Sequence, residues 1–375
     1  MACNNFKNCL NNTPMDINQK TNGIDQLTCM TNTLLQSLAA SCNINIDYNS
    51  VLACNQGSID RQPISSSTIR GINDLANCQF GTAPSQEKTD FINRATNAMK
   101  TFQFFFNSSR TGLKIPVKCT SGTQNRNGPC DPSACFITIR YRIMGQTYSG
   151  HKNIIDTLCA TGPIMSELSV ADFPSSFEDW YNSIKNGTIV GTPPYVYTMP
   201  AGWPLGPPKT DCASLIKGKH AILLVGGKCV TINGQDYIEY TFKDSYKNTN
   251  GQISWSIRVP IKELAPFRPY MTALDGTKYS KAIITNCAQA KKEADNCCNP
   301  PSPTPTRQPT PTPTSTRTPR VSVTPSLTRQ PTPTPTRTST RLPSVTITPT
   351  KTKTMSVTPT PTRSYSQSQS VFTLP

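Results

Sequence analysis

The sequence contains no apolar run approaching the roughly 20 residues that a membrane-crossing helix needs. Its opening, MACNNFKNCLNN, also lacks the charged and then apolar layout of a secretory signal. Both absences lead us to expect a soluble protein. Histidine is scarce: His151 and His220 are the only two in 375 residues, so chemistry that needs an imidazole has two candidates. Acidic residues are missing from 299–375, a stretch that holds half of the 34 prolines and consists mostly of Thr, Ser, Arg and Gln besides. So few apolar residues cannot form a core, and this stretch is expected to be a disordered, low-complexity tail.

The remaining 298 residues suffice for one large domain or two lobes packed together. Of the net charge of +16, nine uncompensated Lys or Arg residues in the tail carry more than half, leaving 28 basic against 21 acidic residues in the body. A body only mildly basic gives no reason to expect specific nucleic-acid recognition. The tail is expected to associate with polyanions in a salt-dependent way, or with Pro-recognising domains. QPTPTPT occurs at 308–314 and again at 330–336, a repeat whose proline spacing favours extended polyproline II and a tether or spacer.

Fifteen cysteines are many for a cytosolic enzyme, and the odd number leaves at least one thiol unpaired. Their pairing does not follow from the sequence, and the compartment stays open. Cys130 and Cys135 are separated by four residues and Cys297 adjoins Cys298, but no His or second Cys pair lies at ligand spacing. No zinc site and no cofactor are therefore expected.

The segment TCMTNTLLQSLAASC places Met30, Leu34, Leu38 and Cys42 four apart, which draws one apolar stripe on a helix. Thr28 is a suitable N-cap, and Cys29 would then occupy the first turn, where free N–H groups and the positive end of the dipole favour a thiolate. A helix is also expected over Lys88 to Phe106, and FITIRYRI from Phe136 alternates like a strand. Beyond His151 strands dominate: KHAILLVGG is short and apolar, DYIEYTF alternates around Ile238, Tyr240 and Phe242, and ISWSIRV around Ile253, Trp255 and Ile257. NTNG at 248–251 reads as the turn between the last two. His220 opens its apolar strand, so a rigid element would hold the ring, whereas His151 lies in a polar stretch leading into a helix.

GKHAILLVGG followed by DYIEYTFKDSYKN resembles the His and Asn segments of the papain-like cysteine peptidases in order and spacing. GPIMSELSV and the aromatic stretch after it are similar to the family's Gly-Pro-Val strand and the segment preceding its His. CMTNTLLQSL resembles the nucleophile helix of a divergent branch, with Cys29, Asn32 and Leu34 in register. The resemblance covers most of residues 13–260.

That resemblance implies an α+β, two-lobe papain-like fold, with a helical lobe over about 1–150 and an antiparallel, barrel-like lobe over about 151–298. It implies a cysteine-type endopeptidase acting on protein or peptide substrates. Cys29 would be the nucleophile, His220 the base, and Asp244 the group orienting the ring, at the position where the family carries Asn. Tyr246 stands where the family has a shielding Trp. TPMDINQ resembles the lead-in to the oxyanion Gln, but Gln19 lies ten residues before Cys29 and Gln26 three, and the family's interval falls between them. Either glutamine is a candidate oxyanion donor. The alternative is a catalytically inactive relative that keeps the fold for binding or structure, with interaction mediated by the tail.

Overall fold

The computed structural model describes residues 3–11, 28–46, 48–117, 135–146, 148–169, 173–203, 219–248, 251–272 and 278–299. The tail, Gln19 and Gln26 lie outside them. After the short strand β1 (Cys9–Leu10) come four helices: α1 (Cys29–Cys42), α2 (Tyr48–Asp60), α3 (Ser66–Phe80) and α4 (Gln86–Thr111). Local chemistry explains several of their ends. Ser65 and Ser85 cap α3 and α4 by accepting the N–H groups of Thr68 and Lys88, and Asn43 closes α1 in a left-handed conformation, φ 55°.

The expected apolar stripe on α1 is buried at Met30, Leu34 and Leu38, and the rest of the helix is covered as well: every residue from Cys29 to Ala39 is buried, so over that span α1 is enclosed on all sides by the elements around it. A periodicity can show one buried face but cannot show that the other is covered too. The helix expected over Lys88 to Phe106 is found within α4. FITIRYRI, read as one strand, is two: β3 (Phe136–Ile139) pairs with β2 (Leu113–Pro116), whereas β4 (Tyr141–Met144) pairs with β12 (Lys281–Ile284). The change of partner falls at Arg140, whose backbone N–H and C=O are taken by Asn286 and Thr285.

The second half begins with α5 (Gly150–Thr161), β5 (Ile164–Ser169), α6 (Ser175–Asn186) and β6 (Tyr195–Thr198), and then forms its main sheet from β7 (Lys219–Ile232), β8 (Gln235–Asn248) and β9 (Gly251–Pro260). These three are antiparallel neighbours, and Asn248 stands opposite Gly251, as the expected turn requires. The minor strands β10 (Met271–Thr272) and β11 (Lys278–Tyr279) precede β12, and helix α7 (Cys287–Cys298) follows it. The sheet order is β1-β7-β8-β9-β6, with β5 sharing the free edge of β7 with β1.

Among the described strands this sheet does not close, and β6 runs parallel to β9. The barrel-like antiparallel lobe expected from the sequence is thereby corrected to an open sheet in a mixed α+β fold. Alternation located β8 and β9 and the turn at 248–251 joined them, but pattern carries no information on the direction of a strand that arrives from a helix.

Strand β7 is the divider of the molecule. Ala221, Leu223 and Val225 point into one apolar core, built around α1, α4 and β12. Ile222 and Leu224 point into a second, built from α5, α6, β8 and β9. Period-two alternation thus gives one strand two interiors, which is why KHAILLVGG reads as an unbroken apolar run. Among the described residues no helix is long and apolar enough to cross a membrane.

Candidate active site

Cys29 is the first residue of α1, 1 % exposed, and its Sγ accepts the backbone N–H of Ala221 at 3.3 Å. Helix α1 and the dividing strand therefore meet at the sulfur. The positive end of the helix and this N–H both favour negative charge there. Thr28 does stand before the helix, but as a side-chain cap it is corrected: its hydroxyl accepts Asn32 Nδ2 at 3.4 Å and takes no helix N–H. The first N–H groups of α1 are accordingly not occupied by that side chain. Every described cysteine except Cys29 is in a disulfide.

His220 is the second residue of β7, and its Nε2 lies 2.8 Å from Asp244 Oδ1. A side-chain hydrogen bond also joins it to Cys29. With Nε2 committed to the carboxylate, Nδ1 is the ring nitrogen left for sulfur. Burial by itself would push the imidazole down, but the Asp244 charge and hydrogen bond and the Cys29 side chain outweigh it, and His220 is pushed up to about 9 from an ordinary 6.5. Cys29, His220 and Asp244, far apart in the chain, are thus brought into one hydrogen-bonded row.

Asp244 lies in β8 where the register with β9 shifts between Lys243 and Lys247. An irregularity of this kind re-aims a side chain out of strict alternation. The carboxylate is fully buried. Its Oδ1 serves His220, and its Oδ2 accepts the Tyr181 hydroxyl at 2.6 Å and Trp255 Nε1–H at 3.1 Å. These contacts account for Asp in place of Asn. A carboxamide has only one oxygen, and its NH2 would confront the indole N–H, which cannot accept.

Tyr181 and Trp255 were missed as functional residues. Trp255 was legible only as a buried position on an alternating strand, and Tyr181 only as part of an aromatic stretch. Phe177, Tyr181 and Ile184 lie at helical spacing on the buried face of α6, a signal of packing that gives no warning of the hydroxyl's partner. The Tyr246 side chain, expected to shield the site, lies outside the described side chains. Shielding of Asp244 comes from Trp255, which packs edge-on against Phe177, Trp180 and Tyr181.

The other histidine is placed elsewhere. His151 sits in the first turn of α5, with Nδ1 2.7 Å from the Tyr240 hydroxyl and Nε2 2.7 Å from the Glu263 carbonyl. Burial lowers its pKa, so the neutral ring ties helix to sheet, donating to the carbonyl and accepting from the phenol. Comparison with family models and with curated proteins finds no match for this chain.

Proposed function

We propose that this chain is a papain-like cysteine endopeptidase whose two lobes are the cores on either side of β7. The observation that carries the reading is the hydrogen-bonded row itself: the one described cysteine outside a disulfide begins a helix, bonds His220, and is linked through it to Asp244. In the proposed reaction the proton rests on His220 and the negative charge on Cys29 Sγ. Sulfur attacks the peptide carbonyl carbon, and the resulting tetrahedral adduct collapses as the C–N bond breaks. His220 gives its proton to the departing amine, leaving an acyl group on Cys29. A water then adds to the thioester carbonyl while His220 takes its proton; the second adduct collapses as the C–S bond breaks, and the acid product leaves a thiolate on Cys29 beside the protonated His220. Asp244 holds the ring in this orientation and favours the imidazolium.

A second reading is an inactive relative that uses the same fold for binding. It is favoured by the 1 % exposure of Cys29, which leaves little sulfur at the surface. Labelling of the folded protein with a thiol-reactive peptidyl epoxide, read out by mass spectrometry, separates the two. The peptidase reading expects one adduct, on Cys29; no adduct on Cys29 under conditions that leave the fold intact would favour the binding protein.

A further inference from the structure

The acceptor triplet for N-linked sugar, Asn-X-Ser/Thr with X other than Pro, begins at Asn11, Asn107 and Asn186, and the proposed reaction uses none of these asparagines. The fold treats the three differently. Asn11 follows β1 beside β7, where its Nδ2 donates to the Leu158 carbonyl at 3.3 Å and to the Val225 carbonyl at 3.2 Å. Its backbone N–H meets the Val225 carbonyl as well, two residues from the Cys9–Cys159 bridge. A sugar on that nitrogen would have to part β1 from β7. Asn107 lies inside α4, with its Nδ2 donating to Gln62 Oε1 at 3.0 Å and its Oδ1 accepting Gln103 Nε2 at 3.1 Å. Ser108, the middle residue of that triplet, is buried, so the triplet is held in the helix against the core.

Asn186 is exposed and is the last residue of α6. At about 3.6 residues per turn it falls on the side of that helix opposite Phe177, Tyr181 and Ile184, the buried ones. Gly187 then takes the left-handed conformation, φ 71°, and its N–H closes the helix on the Ser183 and Ile184 carbonyls. The turn carries the chain outward: Thr188 and residues 190–194 are exposed, Val190 by 96 %. The Thr188 hydroxyl makes one bond, to the Ser183 carbonyl at 3.2 Å, where water can replace the partner. Carboxamide and hydroxyl of this triplet therefore both lie on the surface of a turn. The fold also narrows the compartment that the sequence left open. Every described cysteine but Cys29 is in a disulfide, which requires oxidising surroundings during folding.

We propose that Asn186 is an N-glycosylation site, modified in the compartment where the disulfides form, and that Asn11 and Asn107 stay bare. The donor is an oligosaccharide carried on a lipid diphosphate. The Asn186 amide nitrogen forms a bond to the anomeric carbon of the first sugar as the bond from that carbon to the diphosphate oxygen breaks. The nitrogen gives up one proton, and the lipid diphosphate leaves with the electron pair. No electrons are gained or lost. The proposal does not rest on the peptidase reading. A glycan at Asn186 stands on the side of α6 away from Tyr181, so the Tyr181 hydroxyl keeps its bond to Asp244 and the row leading to Cys29 is untouched. A bulky, hydrated sugar there covers the exposed turn at 187–194, Val190 included.

The test takes the full-length protein from its native source, digests it, and reads the sugar mass on each of the three asparagines by fragmentation mass spectrometry. The expected result is a glycan on Asn186 in most molecules and none on Asn11 or Asn107. A bare Asn186 overturns the proposal, whatever the other two carry. A glycan on Asn11 or Asn107 overturns the part of it that makes the fold select among the triplets. A second measurement compares wild type and Asn186→Gln, both full-length and secreted from eukaryotic cells. The variant is expected to lose one whole glycan from the intact mass while its melting temperature and the rate of Cys29 alkylation stay at the wild-type values. An unchanged mass overturns the proposal. A lost glycan accompanied by slower Cys29 alkylation contradicts the placement of the sugar away from the row. Neither outcome bears on whether Cys29 cleaves peptides, which the epoxide labelling decides separately.

Discussion

At the scale of single residues, two histidines and one lead-in helix made Cys29 and His220 legible, because scarcity reduces the choice and the spacing of the segments supplies the order. Asp244 was legible as a position but not as a chemical necessity. Only the folded arrangement shows three donors, His220 Nε2–H, the Tyr181 hydroxyl and Trp255 Nε1–H, converging on its two oxygens. Asp244→Asn should therefore be costly here. It removes the charge that holds the His220 proton and sets an NH2 against the indole. We predict a loss of about 1–3 kcal/mol in stability, measured by urea unfolding at pH 7, and slower alkylation of Cys29. Trp255→Phe removes one donor but also shrinks a fully buried ring, so it is destabilising by itself, and it is predicted to cost less in the Asp244→Asn background than in wild type.

The same residues set a pH dependence whose sign follows from the raised proton affinity of His220. Folding lifts the group from 6.5 to about 9, so its stabilising contribution is fully present below pH 6.5 and is lost as pH rises through about 9. Activity that needs the imidazolium to protonate a leaving amine falls over that same alkaline range.

At the scale of elements, periodicity located α1, β7, β8 and β9 but not their surroundings. Local pattern reports which face avoids water and stays silent on which neighbour covers it, so α1 read as one-sided and β3–β4 as a single strand. The glycines of VGG illustrate a further constraint that pattern alone leaves unexplained. A Cβ at Gly226 would stand 3.2 Å from the Cys9 carbonyl oxygen, 3.2 Å from Thr241 Cβ and 2.9 Å from Leu10 Cδ1, so β1 and β8 close on β7 only because that side chain is absent. Gly226→Val is predicted to cost about 1–3 kcal/mol through this overpacking. Gly57→Ala, within α2 where a Cβ meets only the end of the Arg61 side chain at 3.7 Å, should instead gain about 0.5–1 kcal/mol. Thermal melting of the two variants beside wild type checks both signs.

At the scale of the whole molecule, the parts that sequence could not supply are the long-range ones. Cys3–Cys229 and Cys9–Cys159 fasten the start of the chain to β7 and α5, and Cys42–Cys287 and Cys135–Cys297 fasten α7 back to the first core. Nothing in the spacing of fourteen other cysteines selects these pairs. Disulfides in such number persist in oxidising surroundings, and bridges closing loops this long each constrain the unfolded chain by roughly 5 kcal/mol in the chain-entropy account. Reductant strong enough to open them would thus remove the fold along with any oxidation at Cys29. Mild reduction is the condition under which the site should be assayed.

On the proposed function, Cys29 cleaves peptide bonds with His220 as its acid and base. The measurement that tests it most directly is kcat/KM for a mixed fluorogenic peptide library across pH 4 to 10, in mild reductant, for wild type and Cys29→Ala. The expected result is cleavage by wild type with an alkaline limb near pH 9, and none by the variant at any pH while its melting temperature stays close to wild type. Equal activity in both proteins, or none in a folded wild type whose Cys29 is reduced, would contradict it.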